Sequence, residues 1–349
     1  MFERPALLWE SIDGKNVKCS VCPRRCTIAP GRRGFCRVRE NRDGALYTLV
    51  YGLLTALAVD PIEKKPLFNF WPGSTSLSIS TVSCNFRCPW CQNWSISQAS
   101  PEEVVTDEKK PEEIVRLARR YGCKSISYTY NEPTIWFEYV LETSRAAKEQ
   151  GILNVLVTNG YITNEAIDAL SPYVDAANVD VKGFTEEFYQ KYCMSSLKDV
   201  LTATEHMHKR GMHIETTNLI IPKLNDDLDE IRKLCEWHRE TLGRDTPLHF
   251  SKFYPQYKMT NLPPTPIETL ISARKLAREA GLNYVYIGNV PGEEGENTYC
   301  PTCGKVTVER IGFDISTWSL TRNNQCSQCG AKIAIIGTFE RSRAPLQLF

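Results

Sequence analysis

Fourteen of the 349 residues are cysteine, and eleven of these fall into three clusters whose spacing suits thiolate chemistry. The first is Cys19, Cys22, Cys26 and Cys36, spaced C-x2-C-x3-C-x9-C. The second is Cys84, Cys88 and Cys91, spaced C-x3-C-x2-C. The third is Cys300, Cys303, Cys326 and Cys329, spaced C-x2-C-x22-C-x2-C. Four thiolates close a tetrahedral metal site, whereas a centre with chemistry to do keeps one position open. On that logic the outer quartets are structural and the middle triad is reactive. Cys123, Cys193 and Cys235 stand outside the clusters and read as small buried hydrophobes.

A reactive triad needs a scaffold to present it. Apolar residues make up 42% of the chain and charged residues 24%, with a net charge of +1. That composition is ordinary for a globular protein and excludes a mostly disordered chain, a collagen-like repeat and a disulfide-stapled mini-protein. From Leu77 onward, short apolar runs (77–82, 125–129, 154–157, 176–181, 213–221, 248–253 and 284–287) alternate with amphipathic stretches (111–121, 135–149, 164–170, 185–192, 199–210, 228–242 and 266–280). Several stretches carry helix-start signals, such as Pro111 before Glu112-Glu113 and Thr163 before Asn164-Glu165. This rhythm predicts an α/β fold of βα units around a parallel sheet. A partial (β/α)6-type TIM barrel over residues 76–290 fits better than a Rossmann sheet, because no G-x-G-x-x-G follows the first run. Residues 1–75, irregular and basic, read as an N-terminal Cys-rich metal-binding extension. Residues 291–349 read as a C-terminal zinc-ribbon-like module.

In parallel barrels the chemistry sits where strands end at their C-terminal side. The distinctive residues fall there: the triad after the first run, then Tyr130-Asn131-Glu132-Pro133, Thr158-Asn159-Gly160, Asp180-Val181-Lys182 and Ile221-Pro222-Lys223, with His249 on the sixth run. Each is weak alone, but their agreement on one rim makes a turn-only account poor. Three thiolates on such a loop can hold three irons of a [4Fe–4S] cluster, leaving the fourth iron open. A zinc site completed by a remote ligand is the competing reading.

The C-x3-C-x2-C loop after the first strand, with Trp90 before its last cysteine, resembles the radical S-adenosylmethionine (SAM) superfamily over about residues 76–290. The resemblance implies a [4Fe–4S] cluster on Cys84, Cys88 and Cys91 that binds SAM. It also implies one-electron cleavage of SAM to a 5′-deoxyadenosyl radical, and hydrogen abstraction from a substrate. It places Glu132 as acceptor for the SAM ammonium, with Tyr130-Asn131 standing where the family has Gly-Gly. It further suggests Asn159, Lys182 and His249 as SAM contacts. Val157 occupies the position of a cation-binding aspartate in the activating-enzyme branch, so that cation site is not carried over. The segment 58–67, the N-terminal C-x2-C-x3-C, Tyr-Asn-Glu-Pro-Thr (130–134) and Tyr-Ile-Gly-Asn-Val (286–290) resemble the pyruvate formate-lyase activating-enzyme-like group. Within it the chain looks most like the AmmeMemoRadiSam system radical SAM enzymes. That implies an oxidoreductase with a low-potential electron donor of ferredoxin or flavodoxin type and Ammecr- and Memo-family partner proteins. A glycyl radical enzyme activase is the alternative within the class.

The outer quartets differ in their reading. Cys300-x2-Cys303-Gly and Cys326-x2-Cys329-Gly form paired knuckles, for which zinc is the first reading and an auxiliary Fe–S cluster the second. The N-terminal quartet admits zinc or an Fe–S cluster. Residues 15–42 hold nine Lys or Arg against one acid, Glu40. This local excess reads either as a solvated face or as a site for RNA or an acidic protein surface. The substrate is accordingly expected to be macromolecular, protein or RNA. A zinc-dependent RNA-binding module with a relic barrel is the reading from another class. The N-terminal residues lack a basic segment followed by an apolar one, and the longest apolar stretch, near 53–59, is far too short to span a bilayer. The expectation is a cytoplasmic protein with no membrane partner.

Overall fold

The computed structural model describes residues 3–341 and 346–348. A nine-stranded sheet forms its centre. Seven strands, Thr75–Ser80, Ser125–Tyr128, Leu153–Thr158, Ala176–Asp180, His213–Ile220, Leu248–Lys252 and Val285–Gly288, lie side by side in chain order, each parallel to the next. All seven follow the apolar runs of the sequence. The first strand is buried at every position although half of it is serine. The Ser76 and Ser127 hydroxyls are 2.6 Å apart, Ser125 Oγ donates to Ser76 Oγ, and the Ser80 hydroxyl lies 2.8 Å from Thr55 Oγ1.

The hydrogen-bonded strand order among the described residues is an open line, with seven parallel strands where six are expected of the partial barrel. The sheet also begins before residue 76. Ala56–Pro61 pairs antiparallel with Thr75–Ser80, and Leu346–Gln347 pairs antiparallel with Ala56–Pro61 in turn. The apolar stretch near 53–59 therefore contributes a strand of the central sheet, between Thr75–Ser80 and Leu346–Gln347.

Helices Pro111–Arg120, Phe137–Glu149, Asn164–Leu170, Leu197–Lys209, Leu228–Thr241 and Ile267–Glu279 connect the strands. Their starts obey capping chemistry. Asp227 accepts from the backbone of Asp229 and Glu230, Thr163 from Ala166, and Ser196 from Asp199. The helix expected at 185–192 is different: one turn, Glu186–Phe188, widens into a π-helical turn, Tyr189–Cys193, that ends on left-handed Met194. Such wide turns occur mostly at functional sites, and this one delivers Cys193 to the triad loop.

The N-terminal region forms two small three-stranded antiparallel sheets. Its basic residues are largely matched within the protein. Lys15, Lys18, Arg25, Arg33, Arg39 and Arg42 form ion pairs, while Arg24 and Arg37 donate to backbone carbonyls. Arg39 is buried and forms a two-pronged pair with buried Glu138 of helix Phe137–Glu149, at 2.7 and 3.2 Å. At the opposite end of the sheet, buried Glu215 accepts from the backbone N–H groups of Phe68 and Asn69 and bonds the rings of His213 and His249. The C-terminal module, a three-stranded antiparallel sheet of Thr298–Tyr299, Val306–Ile311 and Asp314–Trp318, docks there through Arg310, which donates to the Phe68 carbonyl.

Breaking a buried pair by removing one partner strands the other charge. Arg39→Ala is expected to lower unfolding free energy by about 3–5 kcal/mol, measured by urea denaturation. A loss within experimental error would mean that the N-terminal sheets are not coupled to the core.

Candidate active site

The triad loop leaves the first parallel strand through Ser83, whose φ is +79° and whose hydroxyl donates to the Cys36 carbonyl at 2.6 Å. Arg87 then pins the loop by donating to the carbonyls of Cys84, Phe86 and Phe35. Cys84 and Cys88 are buried, and Cys91 is partly so. Two donors aim at Cys84 Sγ, the Phe86 backbone N–H at 3.3 Å and Asn159 Nδ2 at 3.7 Å. Cys91 Sγ lies 3.0 Å from Ser97 Oγ. Burial pushes the Cys84 thiol well up, and the nearby Glu132 carboxylate adds to it. A thiolate in such a place needs a bound cationic centre to stabilise it. The three thiols, with N–H donors directed at sulfur, fit an iron–sulfur cluster.

The triad opens onto a cavity of about 290 Å³. Asn131, Asn159, Asp180 and Lys182 line it beside Phe86 and Trp90. Lys182 Nζ is 2.9 Å from Asp180 Oδ2. Burial opposes its charge, but Asp180 and Cys88 outweigh that and hold the ammonium well above the ordinary lysine range. Asn159 is fixed on three sides: Nδ2 donates to Asn85 Oδ1, Oδ1 accepts from the Tyr161 N–H, and its own N–H donates to Glu132.

Glu132 does not line this cavity. Its side chain is fully buried, with Oε1 accepting from the Thr134 N–H, Thr134 Oγ1 and Thr158 Oγ1, and Oε2 from the Asn159 N–H at 2.8 Å. Burial raises its pKa even so, against the pull of those donors. In this structure the carboxylate clamps the second strand end to the third. Tyr130, standing where the family has glycine, adopts a glycine-like φ of +67°. Its hydroxyl reaches Asp60, which also accepts from Lys64 and buried Lys65. At Gly160 the left-handed turn needs glycine twice over: φ is +71°, and a Cβ would lie 2.8 Å from Val179 Cγ1.

His249 is not brought to the cavity. It lies near the start of its strand, at the opposite end of the sheet, with Nε2 2.7 Å from Glu215 Oε2 and its ring against Phe68 and Tyr286. The residue of that strand that does line the cavity is Ser251, two positions on. Alternation of side chains along a strand places 249 and 251 on one face, but depth along the strand decides which end each serves. Thr217 and Leu219 also line the cavity and belong to no motif, and Asn289, within the Tyr-Ile-Gly-Asn-Val segment, lines it without having been given a role. The strand-end rule could have found Asn289. Cys193 Sγ stands 3.8 Å from Cys88 Sγ, a neighbour that no sequence spacing announces.

The quartets lie on either side of the sheet. In the C-terminal one, all four sulfurs sit within 4.8 Å of one another. Both knuckle glycines, Gly304 and Gly330, are left-handed, at φ +74° and +75°. Backbone N–H groups of Cys329 and Gln328 pull the Cys326 thiol down to about 6. The N-terminal quartet lines a small cavity whose far wall includes Asn85, Thr134 and Ile135.

A thiol triad at the C-terminal edge of an open parallel α/β sheet, facing a cavity lined by strand-end polar groups, defines an enzyme of the radical SAM class. The sequence model of the radical SAM superfamily matches residues 78–237, and the chain belongs to that superfamily. It is 51% identical over 334 residues to an uncharacterized protein of Methanocaldococcus jannaschii, covering 95% of this chain and 99% of that one. It is 22% identical over 213 residues to pyruvate formate-lyase 1-activating enzyme of Escherichia coli, covering 57% of this chain and 86% of that one. A putative glycyl-radical enzyme activating enzyme of M. jannaschii is 26% identical over 170 residues, 47% of this chain and 63% of that one. Among solved structures, a radical SAM methyltransferase from Sphaerobacter thermophilus superposes with a TM-score of 0.49 at 16% identity, covering 65% of this chain and 71% of that one. No helix among the described residues is long and apolar enough to cross a membrane.

The clamp role of Glu132 is testable in metal-free protein. Glu132→Ala leaves two buried N–H groups and two hydroxyls without their acceptor. It is expected to cost about 3 kcal/mol of stability in urea unfolding, with Glu132→Gln costing less. A residue that only contacts SAM would leave the metal-free protein unchanged.

Proposed function

We propose that the protein cleaves SAM reductively and abstracts hydrogen from a macromolecule, with a protein favoured over RNA. When bound to Cys84, Cys88 and Cys91, the [4Fe–4S] cluster supplies the electron that splits SAM into methionine and a 5′-deoxyadenosyl radical. The chain's own residues do the rest. Asn159, Asp180 and Lys182 offer a neutral amide and both signs of charge, which suits a zwitterion. Phe86 and Trp90 supply flat apolar walls.

The observation that carries the macromolecular reading is the size of the cavity. At about 290 Å³ it lies at the lower end for small-molecule sites. A cofactor seated at the triad takes up much of that volume. The reacting part of a substrate must then reach in from the rim. Trp94, stacked on Tyr257 at 5.2 Å, and Tyr254 are exposed beside the lining residues Asn93 and Asn289. Exposed aromatics of this kind suit protein recognition. The internal matching of basic residues 15–42 weighs against RNA. A low-potential donor of ferredoxin or flavodoxin type would supply the electron, and Ammecr- and Memo-family proteins are the proposed partners. Activation of a glycyl radical enzyme is the second reading, favoured by the names of the relatives that match about half of the chain. Zinc is the proposed occupant of the C-terminal quartet, and the cytoplasm the proposed location.

Anaerobically reconstituted protein given dithionite and SAM is expected to release 5′-deoxyadenosine. With deuterated cell fractions, deuterium should enter it from protein and not from RNA. No 5′-deoxyadenosine from protein with an intact triad would refute the radical reading, and label arriving from RNA would refute the preference for protein.

A further inference from the structure

The two cysteine quartets differ in geometry. In the C-terminal one, Cys300 and Cys329 sulfurs are 3.6 Å apart and those of Cys303 and Cys326 3.7 Å. Four sulfurs bonded at about 2.3 Å to one zinc ion stand about 3.8 Å apart, the edge of that tetrahedron. Among the described residues no three sulfurs of the N-terminal quartet come within 4.8 Å of one another, and neither do those of the triad. Cys19, Cys22, Cys26 and Cys36 instead line, together with Arg24, Arg39 and Asn85, a cavity of about 20 Å³, room for about one water. A polynuclear cluster holds its thiolates farther apart than one ion does, and the spread of these sulfurs meets that demand, whereas the C-terminal quartet has the spacing of a single ion.

We propose that Cys19, Cys22, Cys26 and Cys36 bind a second iron–sulfur cluster that acts as an electron carrier beside the triad. Four protein ligands close its coordination, so it has no position for substrate and its remaining chemistry is one-electron storage. Its placement suits that role. Asn85, which follows Cys84 directly, forms part of the quartet's cavity wall. The same Asn85 accepts from Asn159, whose amide also reaches Cys84 Sγ. One residue therefore separates the two cysteine sites. In the relay a low-potential donor is oxidised by one electron, the quartet's cluster is reduced, and the electron passes to the triad's cluster with no bond made or broken. The relay rests on the radical SAM reading, whereas the presence of the second cluster does not.

The test uses full-length protein carrying Cys84→Ser, Cys88→Ser and Cys91→Ser, reconstituted anaerobically with iron, sulfide and zinc. It should hold two or four irons with equal sulfide and one zinc, and show an S = 1/2 signal upon one-electron reduction. No iron and two zinc per chain would overturn the assignment. If that variant fails to fold, Cys22→Ser/Cys26→Ser decides: loss of iron at constant zinc supports the cluster, and loss of zinc at constant iron overturns it. Iron in the triad variant, together with wild-type protein that makes no 5′-deoxyadenosine, would keep this site while removing the radical reading. For the relay, EPR-monitored reduction of the triad's cluster by a flavodoxin should slow several-fold in Cys22→Ser/Cys26→Ser, with dithionite reduction unaffected. Equal flavodoxin rates in the two proteins would overturn the relay.

Discussion

A carboxylate with no access to water stays buried only where enough donors meet it, and Glu132 has four. Two of them come from its own turn and two from the end of the next strand. The clamp fixes Thr158 and Asn159, and Asn159 in turn reaches Asn85 and the sulfur of Cys84. The position of the polar groups that face the cavity is thus inherited from a residue that does not face it. Glu215 is its counterpart at the other end of the sheet. Burial opposes its charge, but His213 and His249 hold it down at about 2, and the backbone of Phe68 and Asn69 completes its shell. Through Phe68 and Arg310 that anchor extends to the C-terminal module. Together with the Arg39–Glu138 pair, this makes the flanking cysteine-rich modules parts of one structure and not beads on a string.

The rim where the strands end is built from sharp reversals. Ser83, Tyr130, Gly160, Lys223 and Asn289 all have φ between +61° and +79°. For a residue with a Cβ this costs roughly 1–2 kcal/mol. Such strain persists where surrounding bonds over-determine it, and the bonds are present: Ser83 to Cys36, Tyr130 to Asp60, and the clamp of Glu132. The reversals turn the chain quickly from sheet to loop, so that side chains from successive strands converge over one cavity.

Much of this was legible beforehand because it is local. Period and length of apolar runs locate all seven parallel strands, and N-cap chemistry locates most helices. The strand Ala56–Pro61 escaped because it precedes the first βα unit and lies antiparallel to its partner Thr75–Ser80, outside the βα rhythm. The helix at 185–192 escaped because a π-turn has the composition of an α-helix. Tyr130 shows the limit of motif reasoning in the other direction. A tyrosine stands where the family has glycine, yet its φ is positive, as glycine's often is, and the side chain is accommodated by Asp60.

The spacing of cysteines by itself determined that there are three cysteine clusters, two of four and one of three, since residue number and spacing are properties of the chain. The strand-end positions of Asn159 and Lys182 were likewise fixed by the alternation of elements. Only the tertiary structure decided depth and distance. It sent His249 to the far end of the sheet, turned Glu132 from the cavity into a clamp, and matched Arg25, Arg33 and Arg39 with acids from remote segments. It also set one quartet at the spacing of a single ion and opened the other around a cavity. These outcomes depend on which side chains meet across tens or hundreds of residues, and no local pattern encodes such meetings.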